Sequence, residues 1–205
     1  MLFNCDCRLL IPHQKQVDVM CSDFPYGMGL QSNHSAVQFD KIVGDDEADY
    51  ETLAKLIALA DSDAYTFCRW DNLTEFPKAM KPKSFITWIK NNWGSGDLNV
   101  EYARMTESIA FWPKENHKWK KGRPVDVIYH DRVPSNALIH PSEKPTGVFG
   151  DLLDDVVCKT VYDPYCGAGA CLVAAKERGL KAMGCEIVDD FCHKTASRLR
   201  QDFLL

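Results

Sequence analysis

A strand that ends on an acid, turns through glycines into a helix, and is answered by a second acid after the next strand can hold a nucleoside. That pattern occurs in "TVYDPYCGAGACLVAAKERGLKAMGCEIVDD" (160–190). After Val161 and Tyr162 the chain turns at Asp163 and Pro164, then passes Tyr165, Gly167 and Gly169. The missing side chains there let a ligand approach the backbone and a helix N-terminus. Glu186 ends the following strand, where a carboxylate can accept hydrogen bonds from two ribose hydroxyls. A second stretch, "CSDFPYGMGL" (21–30), puts a lone acid, Asp23, after an apolar run and before Phe24, Pro25 and Tyr26.

The turn "DPYCGAGA" lacks the full G-x-G-x-x-G of nicotinamide sites and resembles the D-P-F-x-G-x-G turn of S-adenosylmethionine-dependent methyltransferases. Methyl transfer to an exocyclic amine must overcome delocalisation of the nitrogen lone pair into the ring. Acceptors for the amino hydrogens favour a tetrahedral nitrogen that aims its lone pair at the methyl group. Asp23 can supply one acceptor and the Phe24 carbonyl another, because a residue before proline is held extended. Tyr26 can stack on the base, which would have to be flipped out of a duplex to enter such a pocket.

The resemblance then becomes more specific. "SDFPYG" is similar to the D-P-P-Y motif of amino-methyltransferases, with Phe24 in place of the first proline. "HPSEKPTGVFGDLL" (140–153) is similar to the H-P-x-x-K-P segment that precedes the cofactor turn in β-class DNA N6-adenine and N4-cytosine methyltransferases. "WIKNNWGSGDLNVEYARMTESIAFW" (88–112) resembles that family's middle strands, so the likeness spans nearly the whole chain. The amine motif precedes the cofactor turn, as in this permuted class and unlike release-factor and many ribosomal-RNA methyltransferases. No Pro-Cys pair occurs, which removes the nucleophile of the 5-methylcytosine enzymes. An acid at the first motif position resembles the adenine enzymes more than the serine usual for N4-cytosine.

The resemblance implies a role for each matching residue. Asp23 and the Phe24 carbonyl would hold the target amine, Pro25 would stiffen the loop and Tyr26 would stack. Asp163, Gly167 and Gly169 would line the methionine side of S-adenosylmethionine and Glu186 its ribose, with Tyr165 also binding the cofactor. Asp6 and Cys7 match the position of a contact to the cofactor adenine, and His140, Ser142 and Lys144 would line the same pocket. Phe24 keeps the carbonyl but loses one proline's rigidity and adds bulk beside the base. The expected activity is N6-adenine methylation of DNA by direct transfer, in a phage or restriction-modification setting. N4-cytosine, RNA or single-stranded substrates, and a non-catalytic binding module, are the competing readings.

These residues need elements to position them. "VDVMCS" (17–22), "AYTFCRW" (64–70), "SFITWI" (84–89), "ESIAFW" (107–112), "DVIYH" (126–130), "TVYD" (160–163) and "KAMGCEIV" (181–188) read as strands buried on both faces. "EADYETLAKLIALAD", "PTGVFGDLLDDVV", "GACLVAAKERG" and "DFCHKTASRLRQDFL" carry helical stripes. The alternation predicts a doubly wound α/β, Rossmann-like methyltransferase sheet, mostly parallel, with an antiparallel strand in the helix-poor stretch 84–130 and a circularly permuted motif order. The 205 residues suit one domain.

Hydrophobic residues make up 45% of the chain and charged ones 26%, and no run is apolar enough to span a membrane, so a cytoplasmic protein is expected. The nine cysteines are odd in number and irregularly spaced, which reads as reduced core residues rather than disulfides or a metal site. The net charge of −5 hides a division: residues 69–132 carry 12 basic and 8 acidic groups. "PKENHKWKKGRP" (113–124) holds five bases against one acid. Lys114, Lys118, Lys120, Lys121 and Arg123 could track phosphates, with Trp119 for packing or stacking, which makes residues 113–135 the expected minimal target-recognition region. So small a region predicts short or relaxed specificity on duplex or single-stranded DNA, by a monomer or homodimer.

Overall fold

A computed structural model describes residues 1–25, 27, 47–92 and 102–201. Tyr26, expected to stack on the base, lies outside the described residues. The strands are β1 (Leu2–Asn4), β2 (Val17–Ser22), β3 (Ala60–Cys68), β4 (Ser84–Ile89), β5 (Thr106–Pro113), β6 (Val127–Tyr129), β7 (Thr160–Asp163) and β8 (Lys181–Glu186). They form one sheet in the order β1-β8-β7-β2-β3-β5-β4-β6. Every neighbouring pair is parallel except those made by β5, which runs antiparallel to both β3 and β4. The mostly parallel α/β sheet with an antiparallel strand in the helix-poor middle is therefore as expected.

Both faces of the sheet are covered, which is why its strands read as unbroken apolar runs. On one face α3 (Thr146–Asp155) and α4 (Ala170–Glu177) pack Val148, Phe149, Leu152, Leu153, Cys171 and Ala174 against Val19, Cys21, Phe67 and Ile109. On the other, α2 (Tyr50–Ala58) sets Leu53, Leu56 and Ile57 against Met20, Ala64, Ala110 and Tyr162. Truncating Leu53 or Leu56, both fully buried, would cost about 2–5 kcal/mol. The Asp49 side chain starts α2 by accepting from the Thr52 N–H at 2.9 Å and the Thr52 hydroxyl at 2.6 Å. Helix α4 ends where Leu180 N–H returns to the Ala175 carbonyl at 2.9 Å. A last helix, α5 (Asp189–Arg200), follows β8 and buries Thr195.

Sequence patterns placed the strands better than their edges. Strand β3 starts four residues before the expected Ala64, because Ser62 and Asp63 look like loop residues yet are buried in it. Their polar atoms are satisfied locally: the Ser62 hydroxyl donates to Asp63 at 2.6 Å, and Asp63 meets His117 Nδ1 at 2.6 Å. Strand β1 and the one-turn helix α1 (Cys7–Leu10) carry too few residues to show a period. All nine cysteines are free thiols.

Candidate active site

The chain leaves β7 toward β8 on one side and β2 toward β3 on the other, so the winding reverses between β7 and β2. Ligands of open α/β sheets bind at the carboxyl ends of the strands at such a reversal. In register, Met20 pairs with Tyr162, so Asp163 at the end of β7 stands beside the end of β2, and Asp23 follows one residue beyond that strand. Two acids from opposite halves of the chain thus meet in one crevice.

On the β7 side, the glycine turn is tied down by its own backbone. The Asp163 carboxylate accepts from Tyr165 N–H at 3.1 Å, and Gly169 N–H reaches the Cys166 carbonyl at 2.6 Å. Gly169 has φ +75°, and a Cβ there would lie 2.5 Å from Thr195 Cγ2. Both facts require glycine and let α5 close on the turn, where the Thr195 hydroxyl donates to the Gly167 carbonyl at 2.7 Å. Glu186, 7% exposed, accepts from Gly167 N–H at 2.9 Å and Val188 N–H at 2.8 Å. Burial raises the carboxyls of both Asp163 and Glu186, and for Asp163 the nearby charges of Asp23 and Glu186 add to it. Each of these buried acids accepts from backbone N–H groups, and a ligand that brings a cation or hydroxyl donors would relieve the remaining cost of burial. The His140 ring stands 3.4 Å from where a Cβ on Gly167 would lie and packs edge-on to Phe191 at 4.6 Å. Burial, then the Lys144 charge, pushes its imidazole down to about 4, and its Nδ1 faces Ser142 N–H at 3.3 Å.

On the β2 side the structure adds a buried charge network. Lys144 Nζ, from the segment before α3, lies 2.7 Å from Asp23 Oδ2 and 3.2 Å from Glu107 Oε1. Lys90 Nζ, just past β4, lies 2.7 Å from Glu107 Oε2. Ser142 Oγ approaches the same Asp23 oxygen at 3.4 Å, and the Lys144 ammonium sits 5.1 Å from the centre of the Phe67 ring. The second Asp23 oxygen, Oδ1, is buried without a hydrogen-bond partner among the described residues. Burial holds the Asp23 carboxyl above its ordinary range, Lys144 opposing and Glu107 adding to the rise. Burial acts the same way on Glu107, but its two ammonium partners outweigh it and set that carboxyl low.

Other expected residues fall in different places. The Phe24 ring is 3% exposed and packs against Tyr165 at 5.8 Å and Tyr50 at 6.3 Å. Its bulk therefore goes into the apolar layer under α2, rather than beside a base as expected. Asp6 caps α1, accepting from Arg8 N–H at 2.9 Å, and its carboxylate is paired with the Arg8 guanidinium. Cys7 is buried, and burial pushes its thiol up to about 11. Lys144, expected in the cofactor pocket, has Asp23 and Glu107 as its partners.

The basic loop lies toward the opposite edge of the sheet from these acids. Because β5 is antiparallel, its last residue Pro113 pairs with Asp63 near the amino end of β3, whereas the acids follow the carboxyl ends of β2, β7 and β8. The separation is about 13 Å of strand before the loop departs further. Lys114 N–H bonds the Ser62 carbonyl at 2.7 Å and Lys120 N–H the Asp155 carbonyl at 2.8 Å. Trp119 forms a bridge with Val156 and lies against His117 and Phe111, so packing rather than stacking is its use here. Lys118, Lys121 and Arg123 are exposed at this far edge, away from the crevice.

Glu107 and Lys90 escaped the sequence reading. Their one local signal is a charge at the end of an apolar strand, and nothing local ties either to Asp23.

No family model matches the chain, and no curated protein sequence matches it. Solved structures do. The complex of M1.HpyAVI with SAM superposes with a TM-score of 0.72 at 18% identity, covering 97% of this chain and 98% of that one. TTHA0409 from Thermus thermophilus, complexed with S-adenosyl-L-methionine, gives 0.61 at 15% identity over 96% and 91%. The cytosine-N4-specific PvuII DNA methyltransferase gives 0.67 at 9% identity over 100% and 87%. The chain shares the α/β fold of these proteins along almost its full length.

Proposed function

We propose that this protein is an S-adenosylmethionine-dependent methyltransferase that acts on the exocyclic N6 amine of adenine in DNA. The observation that carries this reading is the buried Oδ1 of Asp23, unpartnered among the described residues and held at the switch point beside Asp163. An acceptor buried without a donor is costly unless a ligand supplies one, and an amino group is such a donor. Likeness to structures that contain S-adenosylmethionine supports the cofactor, as do the buried acids of the glycine turn. Asp163 and Tyr165 would face its methionine portion, Glu186 the ribose, and His140 the neighbouring wall with Phe191.

When bound, the cofactor supplies an electrophilic methyl group. Asp23 Oδ1 accepts one amine hydrogen and the Phe24 carbonyl the other, which withdraws the lone pair from the ring and aims it at the methyl carbon. The amine nitrogen would take that methyl group, the cofactor leaving as a neutral thioether, and the amine proton bonded to Asp23 Oδ1 would pass to that carboxylate. The Phe24 ring, buried under α2, anchors the loop in place of the missing proline. Nucleic acid would approach along the carboxyl edge, where Trp70 and Tyr102 are 60% and 98% exposed and available to bases.

N4-cytosine is the competing substrate, favoured by the likeness to the PvuII enzyme. Incubation with methyl-labelled cofactor and unmethylated DNA or RNA, followed by mass spectrometry of the nucleosides, tests both. The expected product is N6-methyladenine in DNA. Label in cytosine overturns the base assignment, and no label in any nucleic acid, with the cofactor still bound, overturns the enzyme reading.

A further inference from the structure

We infer that Lys144 and Glu107, backed by Lys90, are positioning residues for Asp23: a buried chain of alternating charge that holds one oxygen of its carboxylate and leaves Oδ1 free for the target amine. The inference rests on the reading of Asp23 as the amine acceptor, and it joins residues on four separate segments of the chain.

The geometry is specific. Asp23 Oδ2 is taken by Lys144 at 2.7 Å, with the Ser142 hydroxyl on the same oxygen, so rotation of the carboxylate would sacrifice an ion pair inside the protein. Lys144 in turn is shared with Glu107 at 3.2 Å, and Glu107 is held from its other oxygen by Lys90 at 2.7 Å. Two acids and two ammonium groups alternate, so the chain carries no net charge. A lysine alone beside Asp23 would attract both its oxygens, and Glu107 draws the ammonium toward β5 instead. Other titratable groups close to this network include Asp163 from β7, His140 next to Lys144, and Arg132 near Lys90. The arrangement assigns Lys144 to Asp23 rather than to the cofactor.

Opposite charges acting on one carboxyl give opposite displacements, a signature that loss of structure does not imitate. Proteins carrying 13C-carboxyl aspartate would be titrated by NMR, with Asp23→Asn identifying the signal. Affinity for S-adenosylmethionine and the pH profile of kcat would be measured in parallel. Lys144→Met is expected to move the Asp23 titration and the acidic limb of kcat upward by about one pH unit, a roughly tenfold loss on that limb. Glu107→Gln is expected to move both downward, since a like charge is removed while two ammonium groups remain. Lys144→Arg should recover most of the wild-type profile, and cofactor affinity should stay within about threefold in every variant.

Displacements in the same direction, no displacement, or a Lys144→Met effect confined to cofactor affinity would overturn the inference. Glu107→Gln, which preserves shape, carries the test alone if Lys144→Met does not fold. A wild-type protein that methylates no nucleic acid would defeat the proposed function instead, while the NMR titration still reports on the charge chain.

Discussion

The two edges of the sheet both carry clusters of charge, yet they differ in what surrounds each charge. At the amino edge, Lys118, Lys120, Lys121 and Arg123 are exposed, and the Lys120 ammonium lies 3.7 Å from Asp154 in an equally exposed pair. At the carboxyl edge, Asp23, Glu107, Lys144 and Lys90 are largely shielded from water and locked to one another at 2.7–3.2 Å. Exposed pairs of the first kind contribute about 0–1 kcal/mol, because water and salt do the same work. Removing one member of the second kind leaves a buried charge uncompensated, which costs about 3–5 kcal/mol. Counting basic residues along the chain finds the first cluster and misses the second.

The comparison can be broken most directly at Asp23. Asp23→Ala is expected to reduce kcat by at least about 10²–10³-fold with cofactor affinity retained, and an active variant would remove Asp23 from the chemistry. Next comes Glu186→Ala, which deletes a carboxylate bonded to two backbone amides and proposed to hold the ribose. Its expected cost is about 1.5–3 kcal/mol of cofactor affinity by calorimetry, and unchanged affinity would count against the ribose assignment. Gly169→Ala should lower stability to heat or denaturant by about 1–3 kcal/mol, since its Cβ meets Thr195 at 2.5 Å from a left-handed backbone.

A pH-dependent effect is expected from His140. Its folded value of about 4 lies below that of an unfolded histidine, near 6.5, so the unfolded chain binds the proton first as pH falls. Stability should therefore be lost between about pH 6.5 and 4, and His140→Asn should flatten that part of a denaturation series. The least effect belongs to the amino edge. Changing Lys118, Lys120, Lys121 and Arg123 together to glutamine should leave kcat and the salt dependence of nucleic-acid affinity within about twofold of wild type. A salt slope reduced by about four would return those residues to the nucleic-acid interface.

Much of the site was legible because its motifs are contiguous. "DPYCGAGA" announces a strand, a turn and a helix N-terminus within a few residues, and the structure places its acid and Glu186 at adjacent strand ends as the spacing implied. "SDFPYG" was legible as a loop with an acid, but the burial of the Phe24 ring depends on Tyr50 and Tyr165, which are distant in sequence. The placement of 113–124 was not legible in the sequence, because composition records charge without direction. Only the reversal of β5 sends that loop to the far edge.

By itself, then, the sequence determined the local units: apolar runs long enough for buried strands, helices with one or two apolar faces, and a glycine turn whose backbone admits few alternatives. These depend on interactions within about twenty residues, so residue type and period encode them directly. Tertiary structure alone decided which units stand side by side. Asp23 meets Lys144 across 121 residues, and Glu107 meets both lysines because β5 lies antiparallel between β3 and β4. Such meetings follow from strand order and register, set by the burial of both sheet faces at once, and no local pattern carries that information.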